Sequence, residues 1–112
     1  MYEYAGKLER VIDGDTIDAF IDLGFNVWIK KRIRLHGIDA PEVRTRDLNE
    51  KKRGMAAKNR LIEVLSLVNG NFILKSHGIG KYGRCLGEIY TNNNSNSINK
   101  QLIIEEHAEI YK

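Results

Sequence analysis

Two consecutive stretches of the sequence, residues 16–23 and 27–36, alternate apolar with polar side chains, and this alternation constrains the fold more than any other feature. Side chains two residues apart share a face only in an extended strand. The apolar positions that share one face are Ile17, Ala19, Ile21 and Leu23 in the first stretch and Val27, Ile29, Ile33 and Leu35 in the second. We therefore predict two half-buried β-strands, and Arg34 falls on the polar face of the second.

The rest of the chain completes a small barrel. Turns at Gly14 and at residues 24–26 join three predicted strands, over about residues 7–13, 15–23 and 27–36. Residues 47–50 have the spacing of a capping box, and apolar residues then recur at helical intervals as far as Val68. Residues 72–76 and 84–90 are predicted strands, an Asn/Ser run over residues 92–96 is a predicted mobile loop, and a last helix begins near Ser97.

This order of elements predicts the fold class α+β, mainly β. Five strands with a helix between strands 3 and 4 are the order of an OB-fold barrel, to which the chain adds a C-terminal helix. A length of 112 residues suits one domain, so we expect residues 1–112 to form a single domain. OB-folds serve more often as binding modules than as hydrolases, so the fold alone does not predict chemistry.

Charge and composition narrow the function and the compartment. The formal net charge of +3 is a mild excess that favours polyanions, and several of its cations crowd residues 30–34. Such a run is either a solvated surface or a phosphate-attracting one. A single cysteine cannot form an internal disulfide, the first residues lack the features of a signal peptide, and no stretch has membrane-spanning length. We expect a monomer with no membrane partner that is cytoplasmic as written, or secreted if the chain is a processed form.

Acidic residues beside two tight turns predict a metal site. Asp15 lies in the VIDGDT segment, and Asp39 and Glu42 lie in the IDAPE segment. Each aspartate alone is most simply a turn residue. If the three carboxylates and Arg34 converge, the carboxylates would repel one another unless a metal ion compensated their charge. They offer only oxygen ligands, which favours calcium or magnesium over zinc or copper.

Arginines near these carboxylates predict a phosphate clamp. Arg84 ends the KYGR segment, and its planar guanidinium, like that of Arg34, stays charged and can hold two phosphate oxygens at once. Either arginine alone would be read as a surface residue. Their occurrence with the acidic motifs favours phosphate binding.

The three motifs VIDGDT, RLxGIDAPE and KYGR, in this order, resemble those of the staphylococcal (micrococcal) nuclease family. The resemblance extends from about Leu8 to Leu102 and implies an OB-fold. It also implies a calcium-dependent nuclease that hydrolyses phosphodiester bonds of DNA and RNA with little sequence preference, leaving 3′-phosphate and 5′-hydroxyl ends. The alternative is an OB module that binds nucleic acid without cleaving it.

The resemblance also implies roles for individual residues. Asp15, Asp39 and the main-chain carbonyl of Ala40 would bind Ca²⁺, and because that last ligand is a backbone oxygen, an alanine where many relatives have threonine should still permit binding. Glu42 would be the general base or, alternatively, an organiser of its loop. Arg34 and Arg84 would stabilise the five-coordinate phosphorus. The substrate-binding residues would be Lys81, Tyr82 and Tyr111, and Asp13 would orient the first turn.

Overall fold

The computed structural model describes residues 2–91 and 96–111. More of these residues lie in strands than in helices, and two helices pack beside the strands. In chain order the elements are β1 (Glu3–Asp13), β2 (Thr16–Asp22), β3 (Trp28–Leu35), β4 (Ile38–Asp39), α1 (Leu48–Ser66), β5 (Asn71–Ile79), a short 3-10 helix (Lys81–Gly83), β6 (Cys85–Tyr90), α2 (Ile98–Ile104) and β7 (Glu109–Ile110).

Five strands close into a barrel in the order β1-β2-β3-β6-β5, with β5 returning to β1. All neighbouring pairs are antiparallel except β3 and β6, which run parallel and pair Ile33 with Cys85 and Leu35 with Gly87. The helix α1 connects the third barrel strand to the fourth. The predicted OB-type architecture is therefore confirmed. A small second sheet, β4 paired with β7, was not predicted.

The core includes most of the residues that the alternation assigned to one face. Ile17, Ala19, Ile33 and Leu35 are fully buried inside the barrel. Leu23 and Val27 differ from the prediction, because they lie between β2 and β3 at the hairpin tip and are largely exposed. β1 is also longer than predicted, because residues 3–7 pair with β5. That strand is distant in sequence, so the local alternation of side chains does not predict the pairing.

Asp47 is the N-cap of helix α1, and its carboxylate accepts hydrogen bonds from the N–H groups of Asn49 and Glu50. The reciprocal half of the capping box is absent among the described residues. Glu50 accepts instead from the N–H of Glu42 at 3.2 Å, so the first turn of the helix holds the loop before it. The helix ends at Ser66, and Val68 lies outside it.

Helix α2 begins near Ser97, as predicted: Ser97 is its N-cap, and the Ser97 side chain accepts a hydrogen bond from the N–H of Lys100. Its Ile98 and Leu102 are buried against the barrel. The predicted loop before it falls mostly on residues 92–95, outside the described part of the chain. Neither helix in the described ranges combines the length and apolarity that crossing a membrane requires.

Candidate active site

The barrel brings the predicted ligands and arginines to one small cavity of about 150 Å³. It lies where the turn between β1 and β2, the end of β3, the loop after β4 and the start of β6 meet. Its walls are almost entirely polar. The lining residues are Asp13, Asp15, Thr16, Arg34, Asp39, Ala40, Glu42 and Arg84.

Asp15 connects the two turns that carry the acidic residues. It is only 7% exposed, and its Oδ2 accepts the Ala40 N–H at 2.8 Å while its Oδ1 accepts the Thr16 hydroxyl at 2.9 Å. A buried carboxylate needs such donors to offset its lost hydration. The Ala40 backbone is thereby fixed beside Asp15, so that the two motifs act as one unit although they are separated in sequence.

Two glycines allow the backbone to approach closely here. A Cβ at Gly14 would lie 2.6 Å from the Cβ of Ala57 on α1. A Cβ at Gly54, in the middle of α1, would lie 2.6 Å from the carbonyl oxygen of Glu42 and 2.8 Å from that of Pro41. Sequence reasoning missed Gly54, although a glycine inside a helix costs about 1 kcal/mol relative to alanine and so signals a packing reason.

Arg34 is the central cation of the cavity. Its side chain is 15% exposed, Nη1 lies 3.5 Å from Asp15 Oδ2, and Nη2 lies 3.4 Å from Asp39 Oδ1. Nη1 also donates to the carbonyl of Leu35 at 3.0 Å. The guanidinium is 5.8 Å from the ring centroid of Tyr111, which places this predicted substrate-binding residue beside Arg34.

Arg84 enters the cavity from the start of β6. Its Nε is buried and has no hydrogen-bond partner within the described ranges. A buried donor without an acceptor is costly, so Arg84 carries an unmet hydrogen-bond donor in a residue that lines the cavity. Tyr82 lies 5.9 Å from the Arg84 guanidinium in the left-handed backbone region, and both Tyr82 and Lys81 are exposed to solvent.

Glu42 lines this cavity and also a larger one of about 530 Å³ formed against α1 and residues 106–109. Its side chain is exposed, and no ion pair in the described part of the chain involves it. The backbone around it is fixed by Glu50 and by contact with Gly54. Asp13 adds a further restraint, because its Oδ1 accepts the Val43 N–H at 3.3 Å.

The donor set suits a hard cation that keeps several waters. Among residues 2–91 and 96–111, no group of three or more His, Cys, Asp or Glu side chains has a metal-binding arrangement. The cavity lining instead includes Asp15 and Asp39, whose carboxylates contact the same arginine, and Ala40, whose backbone carbonyl would be a further oxygen donor. Calcium accepts six to eight oxygen ligands, water and carbonyls included, and therefore fits this set.

The basic run on β3 is not a row of free cations. Lys30 pairs with Glu9 at 3.0 Å, and Arg32 pairs with Asp18 at 2.8 Å. Asp18 was assigned to a polar face from its position in β2, yet it is only 4% exposed because arginines cover it.

Comparison with known proteins identifies the family of this chain. A family model described as staphylococcal nuclease homologue matches residues 32–112, which is more than half of the chain. The chain belongs to this family. The predicted resemblance is therefore confirmed.

Individual relatives are similar over most of this chain. An uncharacterised protein of Methanocaldococcus jannaschii, MJ1439, is 30% identical over 96% of this chain and 59% of its own length. The endonuclease YhcR of Bacillus subtilis is 34% identical over 97% of this chain and 9% of its own length. A micrococcal nuclease of Shigella flexneri is 31% identical over 79% of this chain and 43% of its own length. The chain thus spans between 9% and 59% of the length of these relatives.

Proposed function

We propose that this chain is a calcium-dependent nuclease that hydrolyses phosphodiester bonds of DNA and RNA with little sequence preference. Family membership and the nuclease names of two relatives support nuclease chemistry in general. The observation that carries the proposal for this chain is that Arg34 and Arg84 line one cavity together with Asp15 and Asp39.

In this proposal the two arginines bind the scissile phosphate from different sides. Arg34 lies on β3 and Arg84 directly precedes β6, and both residues line the cavity. A guanidinium stays charged and can donate two parallel hydrogen bonds to phosphate oxygens. Donors held in place before reaction stabilise the negative charge that develops in the transition state without reorganisation at that moment.

Asp15, Asp39 and the Ala40 carbonyl would hold the calcium ion. The bound cation would neutralise phosphate charge and orient the phosphate for attack. Asp15 is the rigid member of this set because it is buried and hydrogen-bonded to Ala40, whereas the Asp39 carboxylate is exposed and can adjust. The Arg34 contacts keep both carboxylates charge-compensated beside the phosphate position.

Glu42 acts as the general base in this mechanism. Its carboxylate accepts a proton from a water that attacks the phosphorus in line with the 5′ oxygen, and that oxygen then leaves with a proton from an acid or from solvent. The products carry 3′-phosphate and 5′-hydroxyl ends. Lys81 and Tyr82 would bind a neighbouring phosphate, and Tyr111, beside Arg34, would stack or hydrogen-bond with the substrate.

The test is cleavage of plasmid DNA and of RNA by the purified protein, first with calcium and then with a chelator. We expect cleavage only with calcium, and the 3′-phosphate ends can be checked by end-labelling. Asp39→Asn should lower activity by orders of magnitude and weaken calcium binding in calorimetry, because a charged ligand is lost.

The matched control is Glu109→Gln, which removes the carboxylate opposite Asp39 in the β4–β7 pair. This control should keep nearly full activity. Calcium affinity that is unchanged in Asp39→Asn would remove Asp39 from the ligand set. Nucleic acid that is bound but never cleaved, with calcium present, would favour the inactive binding module instead.

A further inference from the structure

A second charged cluster lies on the outer face of the barrel, outside the catalytic cavity. Its centre is the buried carboxylate of Asp18 on β2. Arg10 on β1 donates from Nε to Asp18 Oδ2 at 3.0 Å, and Arg32 on β3 donates from Nε and Nη2 to the two carboxylate oxygens at 2.8 and 3.2 Å. The two arginine side chains are 62% and 46% exposed. One buried carboxylate therefore holds two exposed guanidinium groups in place.

The cluster has an excess of positive charge and of donors. Two guanidinium groups face one carboxylate, which leaves a net charge of about +1. Within residues 2–91 and 96–111, the hydrogen bonds of Arg10 involve only Nε, and those of Arg32 leave Nη1 unused. The hydrogen bond from Arg32 lowers the pKa of Asp18 to about 2, so the carboxylate stays charged and keeps both arginines fixed near neutral pH. Fixed, adjacent guanidinium groups suit a phosphate.

The position of the cluster links it to the cavity. Arg32 precedes Arg34 by two residues on β3, so the two side chains share the outer face about 6.6 Å apart along the strand. The outer face of strands 2 and 3 is the surface on which OB-folds bind oligonucleotides. Farther along this face Phe20 and Trp28 are exposed, and aromatic rings beside cations are typical of surfaces that stack single-stranded bases.

We propose that the cluster of Arg10, Asp18 and Arg32 is a phosphate-docking site for a single strand of nucleic acid whose scissile phosphate lies at Arg34. The strand crosses the outer face of β1, β2 and β3, with Phe20 beyond the cluster as a stacking surface. The link to a scissile phosphate rests on the proposed nuclease function. The docking site itself requires only binding.

The experiment measures binding of a labelled single-stranded oligonucleotide of about twelve nucleotides, a length that exceeds the cavity. Anisotropy is recorded with a chelator present and at several salt concentrations. The variant is Arg10→Gln, in which Asp18 keeps both bonds to Arg32 and the barrel stays folded. The control is Lys31→Gln, which removes an equal charge next to Arg32 but from the alternate side of β3.

We expect Arg10→Gln to weaken binding by about 3- to 10-fold at low salt and to lower the salt-dependence slope by about 0.7, the loss of one phosphate contact on a single strand. Lys31→Gln should change the affinity by less than about 2-fold. Thermal unfolding of both variants checks that they are folded. Wild-type affinity in Arg10→Gln, or equal losses in the two variants, would overturn the docking site.

Activity separates this proposal from the nuclease function. With calcium, Arg10→Gln should raise KM for the long oligonucleotide and leave kcat/KM for a dinucleotide unchanged, because a dinucleotide does not reach the cluster. Equal effects on both substrates would contradict the proposal. A wild-type protein that binds but never cleaves would refute the nuclease function, while the binding comparison alone would still decide the docking site.

Discussion

The ion pair between Arg60 on α1 and Glu105 at the end of α2 allows a prediction of stability against pH. Arg60 Nε and Nη2 donate to the two carboxylate oxygens of Glu105 at 2.6 and 2.9 Å, and Gln101 donates to the same carboxylate. These hydrogen bonds, of which those from Arg60 have the largest effect, lower the pKa of Glu105 from 4.5 to about 2. We predict that Glu105→Gln destabilises the protein at neutral pH and that this effect fades in acid.

The magnitude follows from the pKa. Lowering a pKa from 4.5 to about 2 corresponds to at most about 3.4 kcal/mol of stability at neutral pH. Both side chains are 28% exposed, and solvent screening reduces the figure to about 1.5–2.5 kcal/mol. For a chain of 112 residues this is a decrease in Tm of about 6–10 °C. The contribution is complete above pH 4.5 and is lost as the pH falls toward 2, so at pH 3 less than about half remains.

The assay is urea unfolding of wild type and variant between pH 7 and pH 3. The control is Glu63→Gln, which removes the second partner of Arg60 on α1. The Glu63 side chain is 65% exposed, so its loss should cost less than about 0.5 kcal/mol. Equal stability of wild type and Glu105→Gln at pH 7 would refute the reasoning. A difference that stays constant down to pH 3 would refute the role of ionisation.

Three further predictions concern the cavity. Arg84→Lys should lower kcat on the order of 10²-fold with little change in affinity for nucleic acid, because lysine keeps the charge and loses the planar guanidinium. Normal turnover with weak nucleic-acid binding would instead make Arg84 a docking residue. Gly54→Ala should lower the free energy of unfolding, measured in urea, by about 1–3 kcal/mol and should also lower kcat, because the added methyl group displaces the Glu42 backbone. A variant that is more stable and fully active would contradict this prediction. Magnesium should support little cleavage at saturation because it demands regular octahedral geometry, and rates equal to those with calcium would refute that selectivity.

The fold was predictable wherever one residue's neighbours in sequence determine its environment. Alternation identified β2 and β3, and helical spacing with Asp47 at the cap identified α1. The parallel closure of β3 on β6 and the β4–β7 pair bring together segments that are distant in sequence, so no local pattern reports them. Glu50 shows the same limit, because its spacing fits a capping box while its actual partner is the Glu42 N–H of the preceding loop.

The candidate site was predictable through motifs rather than through periodicity. The residues Asp15, Arg34, Asp39, Glu42 and Arg84 come from four separate segments. The combination of acidic and arginine motifs, together with the family resemblance, indicated that they act together, and the structure places all five around one cavity. The contacts that support these residues could not be predicted from the motifs. Whether a given carboxylate is solvated or covered depends on which side chains the neighbouring strands bring to it.

Asp18 and Asp15 illustrate how those neighbours determine the ligand that each cluster favours. At Asp15 two carboxylates share the single cation Arg34, so this part of the cavity lacks positive charge and favours a cation. At Asp18 one carboxylate shares two arginines, so that cluster lacks negative charge and favours an anion. The two clusters lie two residues apart on the outer face of β3, where Arg34 and Arg32 are the respective partners. A calcium ion bound near Asp15, beside the scissile phosphate, would supply the missing positive charge there. A second phosphate of the same bound strand, at Arg10 and Arg32, would supply the missing negative charge near Asp18.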